Sequence, residues 1–363
     1  MAIMGAGLSG LSCAIELEKH GIYPTIFEDR RQVGDRFVSG EIFLSILNRP
    51  IQDTMAYLSE KHNIFLHPTS NIKKLDIYSK NNKSTIEGKL GFTNIRGRHK
   101  EALEKQLAKQ VKSKIIFNSD YTYEQLQREY THIILATGDA AYASQLQRYR
   151  EDLTVTLKGA TVEGNFNTKE VIAWLDYDFA PKGYGYLIPY NEKEANIVIG
   201  YPDYPENRKE NLEQLWDRFY SRVCKDLNQN IRLTDNFEIT RYIVGICEEP
   251  RIGNTFFVGN CFGSIMPFLG FGQLMAILTG IYAAKDLAGE GNYIKLTKDL
   301  RKDYEISLTF RRYLETLDNN DIDNLVSKLG GKIGERLFNT KFDPLKYMSY
   351  LLKLFTRNNK RQV

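Results

Sequence analysis

Three glycines and one carboxylate near the amino terminus could bind the phosphates and a ribose of a dinucleotide. Gly5, Gly7 and Gly10 follow a short apolar run with the spacing G-x-G-x-x-G. Glycine at these positions permits a tight turn off a strand, close approach of the backbone to a pyrophosphate, and close packing of the following helix. The amino terminus of that helix offers unpaired N–H groups and the positive end of a dipole to phosphates. Glu28, eighteen residues beyond Gly10, follows a second apolar run, where a carboxylate accepts hydrogen bonds from an adenosine ribose.

A second segment, far along the chain, could hold the other end of an extended cofactor. An apolar run ends at Gly259 and Asn260, and a loop containing Pro267, Gly270 and Gly272 then opens a helical stretch. Backbone N–H groups in such a loop can face a flavin ring carbonyl and stabilise negative charge on the reduced ring. The alternative interpretation is a corner between a strand and a helix without a ligand. NAD would satisfy the first segment alone, so the second segment favours FAD.

Together the two segments resemble the FAD-dependent oxidoreductases of the para-hydroxybenzoate hydroxylase fold, and the geranylgeranyl reductase family in particular. That family has a strand ending in Gly-Asp and then a Pro-x-x-Gly-x-Gly loop, and Gly259-Asn260 and residues 267–272 stand in these places. Residues 183–189 resemble the family's Gly-Tyr-x-Trp-x-Phe-Pro segment, which faces the flavin and the substrate. Arg98 resembles an arginine that approaches FAD in the same fold.

The resemblance covers most of residues 2–290 and implies a FAD cofactor with a defined set of contacts. Tyr184, Tyr186 and Pro189 are implied as the wall of the substrate pocket. Tyr184 or Tyr186 is the candidate proton donor, although a tyrosine on a strand more often serves in packing; no other catalytic residue is assigned. The expected cofactor contacts are Gly5, Gly7, Leu8, Ser9, Gly10, Glu28, Asp29, Arg36, Arg98, Ala136, Thr137, Gly138, Gly259, Asn260, Pro267, Gly270, Phe271 and Gly272.

Four departures from the family pattern leave the hydride donor and the substrate open. Asn260 replaces the usual Asp, and Tyr186 stands where the family has Trp. Residues 136–139 read Ala-Thr-Gly-Asp where many hydroxylases have an Asp-Gly pair, and residues 38–41 read Val-Ser-Gly-Glu in place of a Cys-Gly pair. Because no second G-x-G-x-x-G is present, a dedicated NAD(P)H domain is not expected. Electrons would come from transiently bound NAD(P)H or from a redox protein.

Charge and cysteine content exclude some classes of protein. A net charge of +4 over 363 residues is too small to argue for nucleic-acid binding. No C-x-x-C pair occurs, so no metal site is predicted and a reducing, cytoplasmic setting is inferred. No secretory signal precedes the glycine motif. The uncharged stretch 252–284 contains Asn, Pro and Gly, which favours a strand, a loop and a buried helix over a membrane span. The four cysteines are Cys13, Cys224, Cys247 and Cys261.

The order of apolar runs predicts an α/β protein: a Rossmann-like FAD-binding domain, an inserted antiparallel β-sheet substrate domain and a helical C-terminus. A β-α-β unit is predicted over residues 2–29, helices over 98–107 and 211–227, and parallel strands at 115–117 and 132–138. The expected parts are an FAD-binding domain of residues 1–150 and 235–290, with part of 40–95 in the substrate layer, a substrate domain of residues 151–234, and a helical region of residues 291–363.

The carboxy-terminal segment is basic and partly apolar. From Lys332 to Val363 there are eight basic and two acidic residues, interleaved with leucine and aromatic residues. One interpretation is an amphipathic helix that meets a membrane surface or a lipid substrate. The more common arrangement is a helix packed on its domain with a solvated basic face.

Three functions are compatible with these features. The first, favoured by residues 183–189 and the loop at Pro267, is an FAD-dependent reductase that saturates carbon–carbon double bonds in an apolar, isoprenoid-like substrate by hydride transfer from flavin N5. The second is a flavin monooxygenase of an aromatic or apolar molecule. The third is a flavin protein that passes electrons or senses redox state without turnover, which Asn260 and the lack of an obvious proton donor would suit.

Overall fold

The computed structural model describes residues 1–359 and contains two β-sheets. The strands are β1 (Ala2–Met4), β2 (Thr25–Phe27), β3 (Ser39–Leu44), β4 (Ser70–Ser79), β5 (Lys83–Arg96), β6 (Ile115–Ile116), β7 (Ile133–Leu135), β8 (Tyr149–Glu163), β9 (Glu170–Leu175), β10 (Tyr184–Pro189), β11 (Glu194–Pro202), β12 (Arg232–Cys247), β13 (Arg251–Ile252) and β14 (Thr255–Phe257). The helices are α1 (Leu8–Lys19), α2 (Thr54–His62), α3 (Leu103–Ala108), α4 (Tyr123–Glu129), α5 (Ala140–Leu146), α6 (Leu212–Leu227), α7 (Gln273–Leu287), α8 (Tyr293–Leu296), α9 (Lys298–Leu314), α10 (Asn319–Leu329), α11 (Gly331–Asn339) and α12 (Pro344–Asn359). Short 3₁₀ turns cover Ser45–Asn48, Asn207–Lys209 and Gly259–Cys261.

The smaller sheet has six strands in the order β13-β14-β7-β1-β2-β6. Every pair is parallel except β13 with β14. Strands β1, β7 and β14 are nearly or fully buried, as expected for a parallel sheet covered by helices on its faces. Since parallel strands end at one edge, the loops after β1, β7 and β14 come together there.

The larger sheet has eight strands in the order β12-β8-β11-β10-β9-β4-β5-β3. Its neighbours are antiparallel except β4 with β9. Helix α6 packs Trp216 and Phe219 onto one face, where they meet Trp174 and Gly185 of the sheet. Helices α9 to α12 cover the other side through a core that includes Ile86.

Helices α1 and α7 pack directly on each other although they are far apart in sequence. The Ser12 hydroxyl donates to the carbonyl of Ile277 at 3.0 Å. A Cβ added to Gly280 of α7 would lie 2.1 Å from the carbonyl oxygen of Ser9 in α1, so only glycine fits at this crossing. The contact holds α7 beside the amino-terminal glycine motif.

The predicted fold class is confirmed, and so is the β-α-β unit at the amino terminus. Strand β6 pairs in parallel with β2, and helix α6 begins beside its cap Asn211, both as predicted. The helix predicted over residues 98–107 begins only at Leu103, because the backbone of residues 97–100 turns away from β5.

The domain boundaries remain a prediction. The two sheets, however, do not divide the strands in the way that these boundaries imply. Strands β3, β4 and β5 all lie in the larger sheet, in line with the expectation that part of residues 40–95 joins the substrate layer. Strand β12 also lies in that sheet, although most of it, from residue 235 onward, was expected in the FAD-binding part.

Candidate functional site

One cavity of ≈ 1090 Å³ lies between the two sheets and is lined by both segments that the sequence singled out. Its walls include the loop after β1, the loop after β7, the start of α7 and one face of β10. Of the predicted site residues the cavity wall contains Gly5, Gly7, Leu8, Ser9, Glu28, Asp29, Arg36, Ala136, Thr137, Gly138, Tyr184, Tyr186, Gly259, Asn260, Pro267, Gly270, Phe271 and Gly272. The volume suits an extended cofactor together with part of a substrate.

The glycine motif has the geometry that a phosphate cradle requires. Gly5 has φ of 113°, and a Cβ there would lie 2.2 Å from the carbonyl oxygen of Ala136. A Cβ on Gly10 would lie 2.1 Å from the carbonyl oxygen of Gly5, so Gly10 permits close packing of helix on strand and does not line the cavity. Gly7 is different, because no protein atom lies within 4 Å of its Cβ position. Its open side faces the cavity.

Two helices begin at this cavity with a glycine and no side-chain cap. Gly7 precedes α1, Gly272 precedes α7, and neither glycine offers a side chain that could cap its helix. The N–H group of Gly272 itself donates to the side-chain oxygen of Gln273 at 3.3 Å. Many other helices are capped, as α2 is by Asp53 and α6 by Asn211. Uncapped amino-terminal N–H groups and the helix dipole attract an anionic or electron-rich ligand. The cavity therefore presents two such positions, one from each segment.

Glu28 lies beside the glycine motif at the end of β2. Its carboxylate accepts hydrogen bonds from the backbone N–H groups of Ala6 at 2.8 Å and Arg30 at 3.1 Å. Burial, followed by the neighbouring Asp29, raises the pKa of Glu28 from its usual 4.5 to about 7, although the two N–H groups oppose this. The carboxylate is thus held in place at the cavity wall before any ribose binds.

The raised pKa of Glu28 predicts a pH-dependent stability of the flavin-free protein. The stability that comes from the protonated carboxyl is present below pH 4.5 and is lost as the pH rises through about 7. Glu28→Gln removes the ionisation, so the melting temperature of wild type relative to the variant should fall between these pH values. Thermal unfolding across the pH range measures this, with Glu151→Gln on an exposed position as the control. Parallel profiles for wild type and Glu28→Gln would contradict the prediction.

Asn260 connects the segment of residues 259–272 to the loop after β7. Its side-chain N–H group donates to the carbonyl of Gly138 at 3.0 Å and to the hydroxyl of Tyr242 at 2.6 Å. Its side-chain oxygen accepts from the hydroxyl of Ser264 at 2.8 Å. An aspartate could not donate to Gly138, so asparagine at this position holds the two loops together without adding charge.

Tyr184 and Tyr186 lie on the same wall, with ring centroids 6.0 Å apart. The Tyr184 hydroxyl donates to the carbonyl of Leu269 at 2.5 Å, and burial raises the pKa of both tyrosines above the usual range. These features suit packing and loop positioning better than proton donation. Pro189 does not reach the cavity, because side chains alternate along β10 and odd-numbered positions such as Gly185 face α6.

Tyr184→Phe is expected to loosen the loop of residues 265–272 without unfolding the protein. Loss of the hydrogen bond to Leu269 should lower stability by about 1 kcal/mol and speed proteolysis of that loop. Limited proteolysis and thermal unfolding measure the two effects. Tyr186→Phe is the matched control, since it removes a hydroxyl from the same wall and keeps the bond to Leu269. Equal proteolysis rates for the two variants would contradict the tethering role.

Arg98 lies away from the cavity wall, contrary to the position expected for a cofactor contact. Its guanidinium pairs with the carboxylate of Asp235 at 3.2 Å, and both side chains are about half exposed. Arg96, two residues earlier, lines the cavity and pairs with Glu104 at 2.8 Å. Strand β5 continues to Arg96 and a turn begins after it, so the side chain that enters the site is that of Arg96.

Sequence reasoning missed a buried polar group on the same wall. It consists of Arg36, Glu41, Arg96, Glu104 and Gln273, of which only Arg36 had been predicted. Burial and then Arg96 lower the pKa of Arg36. No motif marks these residues, because they come from the loop before β3, from β3 and β5, and from α3 and α7, which are far apart in sequence. Among the described atoms, Arg36 Nε and Ser39 Oγ are buried without a hydrogen-bond partner.

No metal site was predicted, but one group of possible metal ligands lies away from the cavity. In the part of the chain that the structure describes, Glu16, His20 and Glu290 place possible ligand atoms within 4.8 Å of one another. Lys19 already pairs with Glu16 at 2.5 Å and supplies the positive charge there. We assign no function to this group.

Comparisons with known proteins agree with the geometry. The family profile described as the NAD(P)-binding Rossmann-like domain matches residues 3–50. A geranylgeranyl bacteriochlorophyll reductase-like protein from Thermoplasma acidophilum superposes with a TM-score of 0.69 at 16% identity, over 96% of this chain and 94% of the other. A flavin-dependent brominase gives 0.69 at 12% identity, over 100% of this chain and 99% of the other. A 2-methyl-3-hydroxypyridine-5-carboxylic acid oxygenase gives 0.60 at 15% identity, over 95% and 97%.

The chain has the fold of the FAD-dependent oxidoreductases. Reductase-like proteins, halogenases and oxygenases share it, so the fold by itself does not select one reaction. The Rossmann-like profile lies on the glycine motif, in agreement with the expected dinucleotide cofactor. In the described residues no helix is long and apolar enough to cross a membrane, and residues 252–284 form strands, a loop and α7 as predicted.

Proposed function

We propose that this chain binds FAD in the cavity and works as an oxidoreductase. The observation that carries the proposal is that one cavity joins two uncapped helix amino termini, at Gly7 and at Gly272. Glu28 is held at the end where the ribose of the adenosine would lie, and the orphaned Arg36 Nε and Ser39 Oγ offer donors to a polar ligand. When bound, FAD supplies hydride transfer through its N5 position.

The experiment that tests this proposal is the absorption spectrum of the purified protein, before and after incubation with FAD and removal of free cofactor. Retention of one flavin per chain supports the proposal. A protein that folds, as judged by cooperative thermal unfolding, and retains no flavin contradicts it. Incubation with NAD alone as the competing ligand separates the two cofactors, since NAD would need only the amino-terminal segment.

For the reaction, we propose reduction of carbon–carbon double bonds in an apolar, isoprenoid-like substrate. A second pocket of ≈ 70 Å³ adjoins the loop of residues 266–273, and its lining is mostly aliphatic and aromatic. A pocket of this size would take only one end of an apolar substrate, and the remainder would lie in the larger cavity. The lining includes Ile42, Leu44, Leu47, Met266, Phe268, Phe271, Leu274 and Met275. Electrons come from NAD(P)H or a redox protein.

Anaerobic single turnover tests the reaction. The reduced flavoprotein is mixed with polyprenyl substrates, and flavin reoxidation is followed together with the mass of the product. Reoxidation with a gain of two hydrogens supports the reductase. Slow reoxidation by every polyprenyl substrate, with rapid electron transfer to a protein acceptor, would instead favour an electron carrier.

A monooxygenase of an aromatic or apolar molecule is the second candidate, and the similarity to an oxygenase structure favours testing it. The discriminating measurement is NAD(P)H consumption in air with an aromatic substrate. Oxygen-dependent consumption that yields a hydroxylated product would replace the reductase assignment. Rapid reoxidation of the flavin in air without product would support neither reaction.

The carboxy-terminal region is proposed as a peripheral membrane contact that gives access to an apolar substrate. Phe342 is 75% exposed, Tyr347 66% and Tyr350 57%, next to Lys341 and Lys346. Aromatic side chains beside lysines suit the surface of a bilayer that contains anionic lipids. The remaining apolar residues of the basic tail beyond Leu352 lie outside the side chains that the structure describes.

Substitution of Phe342, Tyr347 and Tyr350 by serine should reduce co-sedimentation with anionic vesicles about tenfold, through loss of buried aromatic area. The full chain is the reference and a 1–340 truncation is the lower limit. Ser substitutions at Tyr23 and Phe65, which are also exposed but lie outside this region, are the control. Equal and negligible binding by all forms would contradict the membrane contact. It would favour a helix that packs on its domain and leaves its basic face in solvent.

A further inference from the structure

Glu41 of β3 is an acidic side chain in the wall of the cavity that the proposed function does not yet use. Its carboxylate accepts a hydrogen bond from the side-chain amide of Gln273, the first residue of α7. The side chain is removed from bulk water but not closed off, since it lines the cavity. It therefore lies beside the uncapped helix end that would face the cofactor ring.

The charged and titratable groups around Glu41 come from several elements. Glu41 interacts electrostatically with Arg36, Arg96 and Glu104. It also interacts with Tyr184, Tyr186 and Tyr190. Burial raises the pKa of Glu41, and this effect outweighs the two arginines. The carboxyl thus keeps its proton to a higher pH than an exposed glutamate does. The arginines would stabilise the carboxylate that remains after the proton has left.

The other acids of the cavity wall are engaged elsewhere or lie at the wrong end. Glu28 and Asp29 lie at the adenosine end, beside the glycine motif. Asp139 caps α5 through the N–H group of Ala141, Asp35 pairs with Arg31, and Glu104 pairs with Arg96. The Tyr184 hydroxyl already donates a hydrogen bond to the carbonyl of Leu269.

We propose that Glu41 donates the proton that completes reduction of the substrate, an inference that rests on the proposed reductase function. One carbon of the double bond takes a hydride from the reduced cofactor, with its two electrons. The O–H bond of the Glu41 carboxyl breaks as the proton bonds to the adjacent carbon. The double bond becomes a single bond, the cofactor is left oxidised, and the carboxylate regains a proton from solvent.

The test compares wild type, Glu41→Gln and Glu41→Asp in anaerobic single turnover with a polyprenyl substrate across a range of pH. Glu41→Gln should bind FAD like wild type but slow flavin reoxidation by about 100-fold or more, because a general acid contributes about 10²–10⁴-fold. Glu41→Asp should recover part of the rate, and the wild-type rate should fall as the pH rises through the pKa of the carboxyl. Glu151→Gln, outside the cavity, should behave as wild type.

A readout that does not depend on turnover is the infrared spectrum of the FAD-loaded protein during a pH titration. The carbonyl band of a protonated carboxyl should be lost as the pH rises in wild type and should be missing in Glu41→Gln. If wild type turns over and Glu41→Gln keeps a rate within about threefold, the proton-donor role is wrong while the reductase stands. If reduced wild type is not reoxidised by any polyprenyl substrate, the reductase is wrong and the role of Glu41 falls with it.

Discussion

Replacing Gly7 with valine is expected to abolish FAD binding while leaving the fold intact. No protein atom lies within 4 Å of the position that a Cβ would take, and the backbone there is extended, which valine adopts readily. The new side chain would project into the cavity where the pyrophosphate approaches the start of α1. We expect the affinity for FAD to fall by about 100-fold or more, equivalent to about 3 kcal/mol.

Equilibrium titration with FAD and thermal unfolding of the flavin-free protein measure the two parts of this prediction. Since glycine is a better N-cap residue than valine, a loss of about 1 kcal/mol is expected, which shifts the melting temperature by only a few degrees. Gly10→Ala provides the contrast, because its Cβ would meet the backbone of Gly5 at 2.1 Å and should reduce both stability and flavin content. A Gly7→Val protein purified with stoichiometric FAD would refute the phosphate cradle.

Gly280→Ala is expected to be strongly destabilising although it lies in the middle of a helix. In an isolated helix alanine is favoured over glycine by about 1 kcal/mol. Here the added Cβ would lie 2.1 Å from the carbonyl oxygen of Ser9 and 2.6 Å from the hydroxyl of Ser12. Helix α7 must move away from α1, and we expect a loss of about 3 kcal/mol in the free energy of unfolding, the upper part of the range for overpacked cores.

Chemical denaturation of the flavin-free protein measures this loss, and FAD affinity should fall with it because the start of α7 forms part of the cavity. Gly289→Ala, two residues past the end of the same helix, is the control. No atom lies within 4 Å of its Cβ position, and only its positive φ of 79° disfavours alanine, by about 1–2 kcal/mol. If Gly280→Ala were as stable as wild type, the close contact between the helices would be wrong.

The parts of the site that the sequence predicted are those set by local backbone requirements. Gly5, Gly7 and Gly259 stand out because a turn, a phosphate and a close approach each need glycine, and such needs appear as spacing in the chain. The alternation along β10 also made Tyr184 and Tyr186 predictable as neighbours on one face. Applied one step further, the same alternation excludes Pro189 from that face.

The rest of the site depends on how strands pair, which spacing does not encode. Glu41 is opposite Asn94 in the pairing of β3 with β5, and this register brings Arg96 to the same wall. The sequence pointed to Arg98 and not to Arg96, which lines the cavity, because the end of β5 could not be located from composition. Strand β12 belongs to the larger sheet because it pairs with β8 from Arg232 to Cys247, and this pairing continues past the boundary predicted at residue 235.

The packing of α7 on α1 has a consequence for folding during synthesis. On the ribosome, β1, β2 and β7 can associate once residue 135 has emerged, but β14 and α7 follow only between residues 255 and 287. Until then the side of α1 that includes Ser9 and Ser12 lacks the helix that covers it. Cofactor loading must therefore wait until most of the polypeptide has been synthesised, and a chain interrupted before residue 255 is a substrate for chaperones and proteases.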